Sequence, residues 1–232
     1  MDIHRPKLSR NWREFLKEYG IIVLGVLTAL FAEQAVQSID WYNKVNTALA
    51  DMDNELGSGD GPQAYAQMAM HDCVGTRLDA IRAAVEQGDR SRSRNLIETV
   101  WLPKATYDSL AREAATASDV ASHMPHQRML QYRITYEVVP DMDRLADKEL
   151  ADLAHLRALP ASGGQLETAE KLSEMDAIEA LKLDNDAMAR EARFLLNHLR
   201  MMNLPLDRAF VEFNLKQPRL RYRGCLDLAL KF

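Results

Sequence analysis

The chain has 232 residues, 47% apolar and 27% charged, the make-up of a folded protein with a sizeable core. Its net charge of −5 and pI near 5.7 lack the basic balance that a phosphate-neutralising protein needs, so nucleic acid is excluded as a partner. No basic surface stands out beyond the first 17 residues.

Asn11 with Glu14 three residues on reads as a helix N-cap with its capping-box partner. The helix they open carries an apolar run, free of strongly polar residues from Gly20 to Ala32 and reaching membrane-spanning length only when extended to Ile39. The extension takes in Glu33, Gln34, Gln37 and Ser38. A cleaved signal peptide would need a small-x-small site just after the run, and Ala32-Glu33-Gln34-Ala35 does not supply one. A helix apolar all round is unusual as the buried helix of so small a domain. An uncleaved signal-anchor fits best.

The flanks set its direction. Arg5, Lys7, Arg10, Arg13 and Lys17 precede the run, and Asp40, Asp51, Asp53 and Glu55 follow it against Lys44 alone. Positive charge stays inside, which predicts a cytoplasmic N-terminus and an exported remainder. Trp12, Tyr19, Trp41 and Tyr42 sit where amphipathic aromatics settle at lipid interfaces. The expected division is a short basic cytoplasmic or interfacial segment over 1–19, a transmembrane helix over 20–40 and a helical domain over 41–232. The cytoplasmic segment of about 18 residues is too short for an ordinary signalling domain, so a transmembrane message would pass through an associated protein.

Tyr42, Val45, Leu49, Met52 and Leu56 recur by threes and fours, so the membrane helix is expected to run on without a hinge until Gly57-Ser58-Gly59-Asp60-Gly61-Pro62 ends it. Such a helix, from Trp12 to Leu56, would measure roughly 65–70 Å. Further helices are expected from about Gln63 to Gln87, near Thr106 to Thr116, and from about Pro125 to Leu159 with a bend or interruption at Pro140. After the loop Pro160-Ala161-Ser162-Gly163-Gly164, Leu172, Met175, Ile178, Leu181, Met188, Ala192, Leu195, Leu199 and Met202 mark one from Leu166 to about Met202, which Pro205 ends. Val211 to Leu215 reads as either a short strand or a helix. The expected fold is all-α: a single transmembrane helix continuing into an extracytoplasmic helical bundle.

Two cysteines, Cys73 and Cys225, would lie in a disulfide-permissive compartment. A bridge between them would close a long loop, worth on the order of 4–5 kcal/mol in the chain-entropy description; buried free thiols are the equal alternative. Their spacing excludes a CxxC-type redox role.

The opening "RNWREFLKEYGIIVLGVLTALFAEQA" and the later "ATYDSLAREAATAS", Ala105 to Ser118, resemble a group of bacterial single-pass envelope proteins with no assigned function. In that group an N-terminal apolar helix precedes a periplasmic helical domain. The resemblance covers the first 42 residues and 105–118 and brings no catalytic residues. It implies a bacterial inner-membrane protein with a periplasmic C-terminal domain.

Within the apolar helix Gly25, Ala29, Glu33 and Gln37 are spaced by four and form one stripe. Small residues at such spacing let helices approach closely, and polar side chains can bond across the contact. A carboxylate at the centre of a span costs on the order of 2.5–3.5 kcal/mol. Glu33 therefore reaches the nearby headgroups, packs in an interface between copies or with a partner helix, or lines a pore.

Elsewhere the candidates are bland. His123 and His126 are too few for a metal site. Asp51-x-Asp53-x-Glu55 starts like a calcium loop, but Leu56 stands where the turn needs glycine, which leaves a solvated helix face. Asp184-Asn185-Asp186 lies on a helix, and Arg90, Arg92 and Arg94 read as a solvated loop. No phosphate loop, GxSxG elbow or HExxH occurs. The expectation is a non-catalytic, membrane-anchored envelope protein without metal or cofactor, touching lipid and either copies of itself or another envelope protein. A channel-like or proton-responsive oligomer using Glu33 is the alternative, and an exported hydrolase without a recognisable motif a more distant one.

Overall fold

The structure, a computed structural model, describes residues 12–103, 105–158 and 166–219, of which 217–219 by backbone alone. Every regular element among these residues is helical, and none is a strand. The chain divides into two compact units, Met1–Thr47 and Ala48–Phe232.

Helix α1 spans Trp12–Asn54 and provides the described part of the first unit. It is the one helix among the described residues long and apolar enough to cross a membrane. Asn11, Arg5, Lys7 and Arg10 lie outside the described residues.

The second unit is a helical bundle built on α2 (Gly61–Glu86), α6 (Val139–Ala158) and α7 (Thr168–Met201). Met70, Val74, Leu78, Ile81 and Val85 recur by threes and fours along α2 and meet Ala177, Ile178 and Leu181 of α7 and Leu153 and Leu156 of α6 in one apolar core. Each such large side chain, once buried, contributes about 1.5–3 kcal/mol. Across the rim His71 faces Asp186, Asp79 faces Lys182 and Arg82 faces Glu179; partners that ascend on α2 descend on α7, so the two helices run antiparallel. Shorter helices complete the unit: α3 (Arg90–Ile97), α4 (Leu110–Ala117), α5 (His126–Thr135) and α8 (Arg208–Arg219).

The glycine-rich run departs from its expected role. Gly57 to Pro62 does not end the helix: residues Glu55–Asp60 form a π-helical turn that joins α1 to α2. Close packing explains two of the run's three glycines, Gly57 and Gly61. A Cβ on Gly61 would stand 2.4 Å from Leu206 Cδ2, 2.7 Å from the Leu56 carbonyl and 2.8 Å from Leu199 Cδ1, and one on Gly57 would stand 3.0 Å from the Pro205 carbonyl. The Gly61 N–H donates to the Leu56 carbonyl, five residues back. Pro62, which has no N–H to give, follows in the first turn of α2, where proline is tolerated.

Other boundaries shift less. Gly88 takes the left-handed conformation (φ 73°) just beyond α2, as a helix-terminating glycine does. Pro140 stands in the first turn of α6, so the expected long helix is interrupted before it. Glu167 caps α7 with Glu170 in a reciprocal capping box. Val211 to Leu215 is helical, inside α8. The short α3 was not expected; it is strongly polar, and only Arg90, Ser93 and Ile97 are buried.

Candidate functional site

Two features of the molecule exceed what a helical core requires. The first is the uncovered apolar surface of α1. Ile21, Ile22, Leu24, Val26, Leu27, Leu30 and Phe31 are all exposed, and no part of the most apolar stretch is buried in the chain. Trp12, Phe15 and Tyr19 stack in sequence at its start, with ring centroids 5.8 and 6.2 Å apart. Near its far end the Lys44 ammonium sits 4.9 Å over the Trp41 ring and pairs with Asp40 at 2.7 Å.

The stripe Gly25, Ala29, Glu33 and Gln37 is exposed along its length. A Cβ on Gly25 would meet nothing within 4 Å. The Gln37 amide donates to Glu33 Oε1 at 3.3 Å, an i,i+4 contact that gives the carboxylate a donor on its own helix.

The second feature is a strap, residues 105–109, held on the bundle by side chains that accept its backbone N–H groups. Gln63 clasps the Thr106 backbone on both sides, accepting from its N–H at 2.7 Å and donating to its carbonyl at 2.9 Å. The Tyr107 N–H donates to Asp143, the Asp108 N–H to Asp60 Oδ1, both at 3.2 Å, and the Ala111 N–H to Glu55 at 2.9 Å. The strap lies within "ATYDSLAREAATAS". Only the Ser109 carbonyl, which accepts the Glu113 N–H of α4 at 2.9 Å, has a helical partner among the described residues, which is why so many polar side chains converge on the rest.

Beneath it lie buried polar atoms without partners among the described residues. Asp60 and Glu149 are each 1% exposed and Tyr107 4%. Asp60 Oδ2, both carboxyl oxygens of Glu149 and the Tyr107 hydroxyl have no hydrogen-bond partner among the described residues. Burial pushes the Asp60 carboxyl up to about 8, with Glu55, Asp108 and Asp143 adding like charge and the Asp108 N–H pulling the other way. Burial likewise raises Glu149 to about 8, reinforced by Asp184, and holds the Tyr107 phenol well above its ordinary value, with Asp60, Glu149 and Asp143 as its charged neighbours. Below pH 8 both carboxyls are therefore mostly neutral.

Two tyrosines fasten the same region. Tyr136 donates to Glu55 Oε1 at 2.6 Å, and Tyr132 donates to Asp53. Asp53 and Glu55 are thus half-buried acceptors, not a solvated face; only Asp51 is fully exposed. The three arginines are not on a solvated loop either. Arg90 is buried and pairs with Glu170, Arg94 donates to the Arg157 carbonyl at 2.6 Å, and all three arginines lie on α3, Arg92 alone being fully exposed.

Remaining candidates separate as follows. Asp184 and Asn185 are buried; Asp184 accepts from Lys148 at 2.5 Å, and Asp186 faces His71 at 2.8 Å. Cys73 is half-buried against the core, and Cys225 lies outside the described residues. No group of three or more His, Cys, Asp or Glu among the described residues is arranged to hold a metal ion. An open groove of about 600 Å³ between α6 and α7 is lined by Asp152, His155, Ser173 and Asp176, among others. Nothing in the sequence marked Asp60 or Glu149; an acid inside a glycine-rich run and an acid on an apolar helix face were the available signals. Comparison with protein-family models, curated proteins and solved structures returns no match.

Proposed function

We propose that this chain is a non-catalytic, membrane-anchored envelope protein, with α1 crossing the bilayer over residues 20–40 and the helical domain serving as an interaction surface for copies of itself or another envelope protein. The observation that carries the reading is the bare apolar surface of α1. Leaving that many large side chains in water forgoes about 1.5–3 kcal/mol for each, which lipid recovers. The stacked aromatics at its start and Trp41 near its far end suit interfacial positions. Arg13 and Lys17 before the run, against Asp40, Asp51, Asp53 and Glu55 after it, favour a cytoplasmic N-terminus. The bacterial inner membrane and a periplasmic domain are what the resemblance of the opening segment and of Ala105 to Ser118 implies.

Alkaline carbonate extraction of membranes carrying the full-length protein tests the anchor. The protein is expected to stay in the pellet and to enter solution only with detergent. A Leu24→Lys, Leu27→Lys variant, with about 2.5–3.5 kcal/mol of insertion cost per lysine near the centre, is expected in the soluble fraction. Release of the unaltered protein by carbonate would overturn the reading.

A further inference from the structure

We propose that Asp60, Tyr107 and Glu149 form a proton-operated latch: the strap 105–109 stays seated on the π turn and α6 while the two carboxyls carry protons, and it lifts when they ionise.

The geometry argues for this directly. An ionised carboxylate buried without a cation or a full set of donors is too costly to persist, so it takes a proton or gains water. Glu149 has neither oxygen partnered among the described residues, and Asp60 has one, held by the Asp108 N–H of the strap itself. Around Asp60 stand Asp108 and Tyr107 from the strap, Glu55 from the π turn, Asp143 from α6 and the Tyr136 phenol. Around Glu149 stand Tyr107 and Asp184 of α7. No described cation is among the groups acting on either carboxyl; Lys148 pairs with Asp184 at 2.5 Å and Asp152 at 3.7 Å, and Arg112 sits over the Tyr136 ring at 5.5 Å. Lys104 lies outside the described residues.

Of the groups around the two carboxyls, the strap is the one with no helix to hold it. Its attachments are hydrogen bonds to side chains, with only Ala105 and Tyr107 buried. The π turn beneath is close-packed at Gly57, against the Pro205 carbonyl, and at its edge by Gly61, against Leu199 and Leu206. Water therefore reaches newly formed charges most cheaply where the strap departs, and local opening of a weakly packed segment precedes global unfolding.

Hydrogen–deuterium exchange of the full-length protein in detergent, corrected for intrinsic rates, reads this directly. Between pH 6 and 8 the opening of residues 105–111 is expected to rise by roughly tenfold per pH unit for each carboxyl released, so about a hundredfold for one. Peptides of α2 and α7 are expected to stay protected. Glu149→Gln should flatten the slope, and Asp60→Asn, which keeps an acceptor for the Asp108 N–H, supplies the same test should the first variant not fold. The latch is overturned by protection of 105–111 that ignores pH, by an unchanged slope in a folded variant, or by core peptides opening in step with the strap.

Discussion

Tyr136 and Glu55 form a hydrogen bond on which three elements converge. The phenol donates to one carboxyl oxygen and the Ala111 N–H donates to the other, so the tyrosine, the π turn and the start of α4 share one carboxylate. Tyr136→Phe is expected to cost about 1.5–3 kcal/mol, read as a lower urea midpoint at unchanged slope; an unchanged midpoint would mean the bond is not made. The raised carboxyls of Asp60 and Glu149 set a pH dependence of known sign. Both hold their protons in the folded state up to about pH 8, whereas the unfolded chain releases them near pH 4. Their favourable contribution is complete below pH 4 and is lost as pH rises towards 8, at no more than about 1.4 kcal/mol per pH unit for each group. Glu149→Gln should match the unaltered protein near pH 4 and exceed it at pH 8.5 in thermal melts, and a variant less stable at both values would contradict the assignment.

Among the elements, the turn from α1 into α2 separates what a sequence shows from what packing decides. Periodicity revealed α2 and α7 and, with less accurate ends, the helices on either side of Pro140, because their apolar positions recur by threes and fours on one buried face. Gly57 to Pro62 read as a stop, since local propensity carries no record of Leu199, Leu206 and Pro205 arriving from 140 or so residues away. The same limit hid the strap: its acceptors Gln63 and Asp143 look like ordinary helix-surface residues and Asp60 like part of a stop, and only the fold brings them to one extended backbone. Asp53 and Glu55 were misread for this reason. The glycines provide a test. Gly61→Ala puts a methyl against a backbone carbonyl and two leucines and is expected to cost about 2 kcal/mol or more. Gly75→Ala, in open space on α2, is expected to be stabilising by about 0.5–1 kcal/mol. Equal effects in denaturant titrations would mean that Gly61 is not wedged.

At the scale of the whole molecule, the bare α1 surface and the polar stripe on it matter most. The sequence alone exposed this helix, since its hydropathy and flanking charges need no tertiary context. Glu33 has a donor in Gln37, so self-association does not require a carboxylate partner across the contact. If Gly25 and Ala29 face another copy, cysteines placed there should crosslink in membranes and one at Leu30, about a quarter-turn away, should not. Uniform crosslinking at all three would argue for random collision and against a defined interface.

Membrane insertion of α1 is tested most directly by thiol labelling of intact membranes with an impermeant maleimide. Single cysteines replace Leu24 or Asp51 in a Cys73→Ala, Cys225→Ala background. The expected result is prompt labelling at 51 from the outer side and none at 24 until detergent dissolves the bilayer. Labelling of both positions at equal rates would place α1 in water and contradict the membrane-anchored reading.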